Sequence, residues 1–249
     1  MLIHVLNLDR TPDRLQEFLA VNDHLGELAR SSAIDGQALD VPALVESGVI
    51  EEGVLRTYTR GAIGAALSHV ALWTRAIEAQ QIMTICEDDA IFNRHFVDAA
   101  QSVMARLPAD WDLIAWGWNF DAQIAMDFLP GVSICVVGCD QDQMRTGVAT
   151  FRQQVFSPQP IRLLRSFGAV CYSVSPKGAQ ALKSLCFPIR EMHVVFPGPS
   201  GLRELPNLGV DVMMANAYSQ TQSFVAFPPL VITKNERAKS TIQPADAGA

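Results

Sequence analysis

Short apolar runs alternate along the chain with longer stretches in which apolar residues recur every three or four positions. Residues 2–8 form a β-rich run ending in Asn7-Leu8-Asp9-Arg10. Thr11-Pro12 then suits a helix N-cap and first helical position, and Leu15, Phe18 and Leu19 follow at helical spacing. Ala33-Ile34-Asp35-Gly36 predicts a short strand and a turn. The strongest helix signal spans 61–79. There Ile63, Leu67, Val70, Ala71, Thr74 and Ile77 make one stripe, and Ala62, Ala65, Ala66, His69 and Trp73 a second, mostly small-residue face. Residues 82–86 read as a buried strand running straight into Glu87-Asp88-Asp89. The pattern predicts a helix over about 95–107, strands at 112–116, 133–137 and 168–174, and a helix from Ser175-Pro176 to Leu185. Residues 138–160, rich in Gln and Asp, predict a mobile loop. Residues 188–206, rich in Pro and Gly, predict irregular structure, and 224–232 a late strand.

Strands alternating with amphipathic helices predict an α/β fold. No repeat or linker interrupts the pattern, so residues 1–233 read as a single domain and 234–249 as a loosely ordered tail. Composition sharpens this. The chain has 249 residues, 49% hydrophobic and 18% charged, which suits a globular core and not a disordered chain. Its 19 Lys and Arg against 26 Asp and Glu give a net charge of −7, which disfavours nucleic acid as a partner. No apolar run reaches membrane-spanning length and the start lacks a signal-peptide pattern, so the expectation is a cytoplasmic protein without an integral membrane segment. The cysteines number five, and Cys86, Cys135 and Cys171 lie in apolar runs, which suits reduced buried thiols.

The acidic triplet is the sharpest chemical feature. Carboxylates a few ångströms apart at the end of a buried strand repel one another in a lowered dielectric. A hard divalent cation reverses that penalty and shares its shell with phosphates. Ligands of α/β sheets also collect at the carboxyl ends of strands. Taken alone, the triplet equally suits a solvated loop or the acidic start of the next helix.

The surrounding motifs resemble those of glycosyltransferase family 25. Asn7-Leu8-Asp9-Arg10-Thr11-Pro12-Asp13-Arg14 is similar to the family's NLDRRPDR opening, and Ala33-Ile34-Asp35-Gly36 to its AVDG. Residues 61–69, GAIGAALSH, are similar to GEIGCALSH, and 171–179, CYSVSPKGA, to AYLISPKGA. Ala62 stands where the family pattern has Glu, and Ala65 where it has Cys. The resemblance implies a GT-A-like nucleotide-binding sandwich with a mixed, mostly parallel central sheet. It implies a metal-dependent, inverting transfer of a hexose, galactose first, from a UDP-sugar to a hydroxyl of a glycan or other acceptor.

On that reading Asp89 and Glu87 hold Mn2+ or Mg2+, Glu87 also facing the ribose, and Asp88 supports the metal site or the sugar. Asn7, Arg10 and Arg14 lie at the end of the first strand, where guanidinium groups suit phosphate; Arg14 reads equally as surface charge. Asp35 contacts base or ribose, or makes an ordinary turn. His69 reads as a donor contact or a packed core histidine. Asp211, an acid flanked by apolar residues, is the first candidate for the base that deprotonates the acceptor, and Asp121 the second. Trp116 and Trp118 would stack on the acceptor sugar, or belong to the core. Two other readings remain: a catalytically weak relative that only binds a nucleotide-sugar, and a transferase acting on a peptide or small molecule.

Overall fold

A computed structural model describes residues 1–198, 201–236 and 242. The first half contains β1 (Ile3–Asn7), α1 (Pro12–Val21), β2 (Leu28–Ser32), α2 (Val41–Glu46), α3 (Arg60–Ala79), β3 (Met83–Glu87), β4 (Ala90–Phe92), α4 (Phe96–Met104) and β5 (Leu113–Gly117). Next come β6 (Ile124–Leu129), β7 (Ser133–Val137), α5 (Gln141–Gln153), β8 (Gln159–Arg165), β9 (Cys171–Val174) and α6 (Pro176–Cys186). The chain finishes with β10 (His193–Gly198), β11 (Gly201–Pro206), α7 (Val210–Ala217), β12 (Ser223–Phe227) and β13 (Val231–Thr233).

A nine-stranded sheet in the order β2-β1-β3-β9-β5-β12-β8-β6-β7 forms the centre. β1 pairs parallel with β2 and β3, and β5 with β12; the other pairings are antiparallel. β7, β8 and β9 thus run against the other six strands, so the sheet is mixed, with most strands sharing one direction, consistent with the expected GT-A-like sandwich. Alternation along each central strand sends side chains to two separate cores. Leu6, Ile85, Leu113, Ala115 and Tyr172 join α3, α6 and α7 on one face. Val5, Cys86, Ile114, Trp116 and Cys171 join Phe18 of α1 and Phe96 of α4 on the other. Burial on both faces explains why β3 and β5 read as continuous apolar runs.

The sequence pattern misplaces some elements. Residues 138–160 are not a mobile loop: α5 occupies most of them, capped by Asp140, whose side chain accepts from Gln143 N. Where an irregular stretch was expected, β10 and β11 pair antiparallel. The late strand is two strands, β12 and β13, separated around Pro228-Pro229, because proline cannot donate to a sheet ladder. Ala33–Gly36 is not a strand; β2 ends at Ser32 and a 3-10 turn starts at Gly36. Thr11 precedes α1 without capping it, its hydroxyl donating to Leu8 O at 3.1 Å. Among the described residues no helix is long and apolar enough to cross a membrane.

One joint sets the mouth of the site. The 33–36 segment lies against the first turns of α3 so closely that a Cβ on Gly36 would sit 1.8 Å from Arg60 O, and one on Gly64 2.5 Å from Ile34 O. Ser68 Oγ accepts from Ile34 N at 2.8 Å and donates to Gly64 O at 2.7 Å, and Arg60 Nε donates to Gly36 O. Backbone on backbone leaves no flexible side chain to yield. Gly64→Ala is therefore expected to lower unfolding free energy by about 1–3 kcal/mol in a denaturant titration. Gly26→Ala, with open space around its Cβ, should stay within about 0.5 kcal/mol of wild type.

Candidate active site

A cavity of about 260 Å³ opens at the carboxyl end of β3. Its lining includes Arg14 of α1, Ala62 and Ala65 of α3, the triplet Glu87-Asp88-Asp89, Asn119, Gly168, Asp211 and Lys234. A smaller cavity of about 80 Å³ shares Arg14, Ala65, Glu87, Asp88 and Ile242 with it. That second cavity extends over the end of β1, past Asn7, Arg10, Asp35, Ser68 and His69.

The three acids have different environments. Asp88 is fully engaged: Arg14 Nε donates to Oδ1 at 2.9 Å, Arg14 Nη2 also bonds Oδ1, and Asn7 Nδ2 donates to Oδ2 at 2.7 Å. This carboxylate ties β1 and α1 to the motif. Asp89 Oδ2 accepts from Thr233 Oγ1 at 3.1 Å, whereas its Oδ1 is buried without a hydrogen-bond partner. Glu87 faces both cavities. Burial, reinforced by Asp89, Asp211 and Asp88, raises its carboxyl to about 8. Burial likewise raises Asp89, with Arg14 opposing.

Among the described residues no group of three or more His, Cys, Asp or Glu side chains is arranged to hold a metal ion. The donors that are present suit a cation of a different habit. Mg2+ and similar ions use one or two protein carboxylates and complete their shell with phosphate and water. Asp89 Oδ1, buried and unpartnered, and the crowded Glu87 are the groups such a cation would satisfy.

Asp211 lies in the first turn of α7 and lines the larger cavity. Its Oδ2 accepts from Gly168 N at 3.0 Å. Burial raises its proton affinity, and the backbone hydrogen bonds from Gly168 and Val212 only partly offset that. Gly168 has φ +86°, and a Cβ there would meet the Asn119 side chain at 2.3 Å, so the glycine both reaches the left-handed region and makes room for Asn119. In the smaller cavity Arg10 Nε pairs with Asp35 Oδ2 at 2.8 Å, and Asp35 Oδ1 accepts from Gln37 N.

Comparison with known proteins gives this geometry a family. The profile of glycosyltransferase family 25 (LPS biosynthesis protein) matches residues 1–194. The chain belongs to glycosyltransferase family 25. A "Glycosyltransferase 25 family member" of Drosophila pseudoobscura pseudoobscura is 31% identical over 125 residues, 46% of this chain and 20% of that protein. Human "Procollagen galactosyltransferase 2" is 30% identical over 126 residues, 46% of this chain and 20% of the relative. Human "Inactive glycosyltransferase 25 family member 3" is 30% identical over 149 residues, 53% of this chain and 24% of the relative. The chain thus spans only a fifth to a quarter of the length of these curated relatives.

Both departures from the family 25 pattern line the larger cavity, Ala65 also facing the smaller one. The structure places the residues of three further expectations. Trp116 and Trp118 are 0% and 1% exposed and stack on no open surface. Trp116 packs against Phe96 and donates to Ser173 Oγ, and Trp118 packs on Phe120 and Phe227. Trp116 lies in β5, which is buried on both faces, and Trp118 follows directly after it, so both rings sit in the core and neither faces solvent. Asp121 is exposed and outside the cavity lining, and its carboxylate accepts from Asn235 Nδ2 at 2.9 Å, so the structure does not bring it together with Asp211 in the cavity. Of the 234–249 tail, Lys234, Asn235, Glu236 and Ile242 line the cavity, and residues 237–241 and 243–249 lie outside those described. The sequence reading passed over Asn119, Gly168, Thr233 and Lys234. Only Asn119, at the end of the tryptophan-rich segment, stood near a named motif.

His69 is 1% exposed, with Nδ1 2.8 Å from Tyr172 Oη, which itself accepts the Trp73 indole N–H. Burial lowers it to about 4, so it is neutral near pH 7 and cannot act there as a cationic phosphate clamp. Between the ordinary histidine value of 6.5 and about 4 the unfolded chain binds the proton and the folded chain does not. The stabilisation present above pH 6.5 is therefore lost as pH falls through 4, by up to about 3 kcal/mol. Denaturant midpoints should fall across that window in wild type, and His69→Gln should flatten the slope.

Proposed function

We propose that this chain transfers a hexose, galactose first, from a UDP-sugar to a hydroxyl of a glycan or other acceptor, with metal dependence and inversion. The observation that carries this reading is Asp89 Oδ1, buried and unpartnered, in one cavity with Glu87 and Asp211. Membership of family 25 and a relative named as a galactosyltransferase support the reaction class. The GT-A-like layout supports a donor lying across the ends of β1 and β3.

In this reading the smaller cavity takes the nucleoside, with Asp35 at its edge, and the larger one takes the diphosphate and sugar. Asp89 and Glu87 hold Mn2+ or Mg2+, which supplies positive charge against the leaving diphosphate. Arg14 and Asn7 lock Asp88, and so fix the turn on which Glu87 and Asp89 stand. Asp211 receives the acceptor hydroxyl's proton as that oxygen attacks the anomeric carbon and the bond to the diphosphate breaks. Its burial-raised proton affinity suits that role. A second reading, donor binding without turnover, is favoured by Ala62 in the cavity wall where the family pattern has Glu, and by relatives named inactive.

Incubation with a panel of UDP-sugars, with Mn2+ and with chelator, separates the two. UDP release that the chelator abolishes is the expected result. A thermal shift without UDP release would favour the binding-only reading, and neither response with any UDP-sugar would sink both. Asp89→Asn should keep the fold and lose metal-dependent UDP binding. Asp211→Asn should bind donor normally and lower kcat by about 10²–10⁴.

A further inference from the structure

The larger cavity is dominated by acids, yet its proposed ligand is a diphosphate. Glu87, Asp88, Asp89, Asp211, Glu17 and Glu236 all line it. Among the described residues its cationic side chains are Arg14 and Lys234. Arg14 is committed to Asp88 through two of its nitrogens. Lys234 is exposed on the cavity wall and has no ion pair among the described residues.

The backbone that presents Lys234 is held from several sides. Arg145 of α5 donates through Nε to Lys234 O at 2.9 Å and through Nη2 to Asn235 O at 3.0 Å, and its Nη1 is paired with Asp142 at 2.8 Å. Thr233, just before it, is 3% exposed and donates to Asp89 Oδ2. Asn235, just after it, turns the chain with φ +48°, donates its N–H to Thr233 Oγ1 at 3.0 Å and bonds Asp121 through Nδ2. Residue 233 is thereby fastened to Asp89, and residue 235 to Thr233 and Asp121.

We infer that Lys234 is a further substrate-binding residue, whose ammonium takes oxygens of the donor's diphosphate, with Arg145 as the positioning residue that mounts it. This rests on the UDP-sugar reading above. One divalent cation leaves the departing diphosphate with residual negative charge, and an ammonium supplies a compact charge with three donors. The residue lies beyond the 1–194 span that the family profile matches, so family membership does not assign it.

The test compares UDP with uridine on the full chain, in the presence of Mn2+, by titration calorimetry for UDP and ligand-observed NMR for uridine. Lys234→Met should weaken UDP about 10-fold or more and leave uridine unchanged, since a charge-assisted hydrogen bond to phosphate is what is removed. Lys234→Arg should restore most of the loss. Arg145→Ala should weaken UDP selectively too. Wild-type UDP affinity in Lys234→Met overturns the inference and leaves the proposed function standing. Equal losses for UDP and uridine also overturn it, because they mark a structural effect. Failure of the wild-type chain to bind UDP at all overturns the proposed function and this inference with it.

Discussion

Three consecutive carboxylates leave the end of a strand that is apolar on both faces, and the geometry around them follows from how the fold accommodates that charge. Asp88 is neutralised by Arg14 and fixed by Asn7, which draws α1 and β1 onto β3. Asp89 has one oxygen held by Thr233 and the other left bare. Glu87 is buried among like charges, and burial first and its acidic neighbours second raise its carboxyl to about 8. Like charges at this spacing in a low dielectric cannot all ionise without a compensating cation. Among the described residues Arg14 is the cation paired with the triplet, and on the proposed reading a metal ion shared with a phosphate would make up the shortfall.

Much of this was legible in the sequence where local chemistry decides structure. The stripe from Ile63 to Ile77 marked α3, and the apolar run before Glu87 marked β3, because periodicity and burial are the same fact seen twice. The triplet stood out for the same reason, as charge placed directly after a buried strand. α5 was hidden because Met144, Val148 and Phe151 make a helical stripe of three residues diluted by Gln and Thr. The tryptophans misled because amphipathic rings suit both a sugar site and a core, and only the two-sided burial of β5 separates these. Thr233 and Lys234 carry no local signal at all. They reach the site through the pairing of β13 with β4, a contact between residues about 140 apart in sequence.

The site is therefore assembled from parts of unequal sequence character. The family profile covers β1, the α3 joint, the triplet and β9, and stops at residue 194. Asp211, Thr233 and the turn after it come from the remainder. The cavity wall formed by Arg14, the α3 joint and the triplet lies within the span that the family profile matches. The opposite wall, with Asp211, Thr233 and Lys234, is built from the portion that the profile does not describe, and on the proposed reading that is where differences in acceptor and sugar would have room to arise.

The placement of β12 has a consequence for how the chain acquires this shape. It is formed by residues 223–227, yet it sits inside the sheet between β5 and β8. During synthesis from the N-terminus, both flanking strands emerge long before the strand that joins them. Until residue 223 is available, β5 and β8 each present an unpaired edge, and the sheet exists as two unconnected halves. Closure must await a long-range insertion of the slow, high-contact-order kind. A ribosome that stalls before that point would release a chain with two open sheet edges, a form suited to chaperone capture or aggregation.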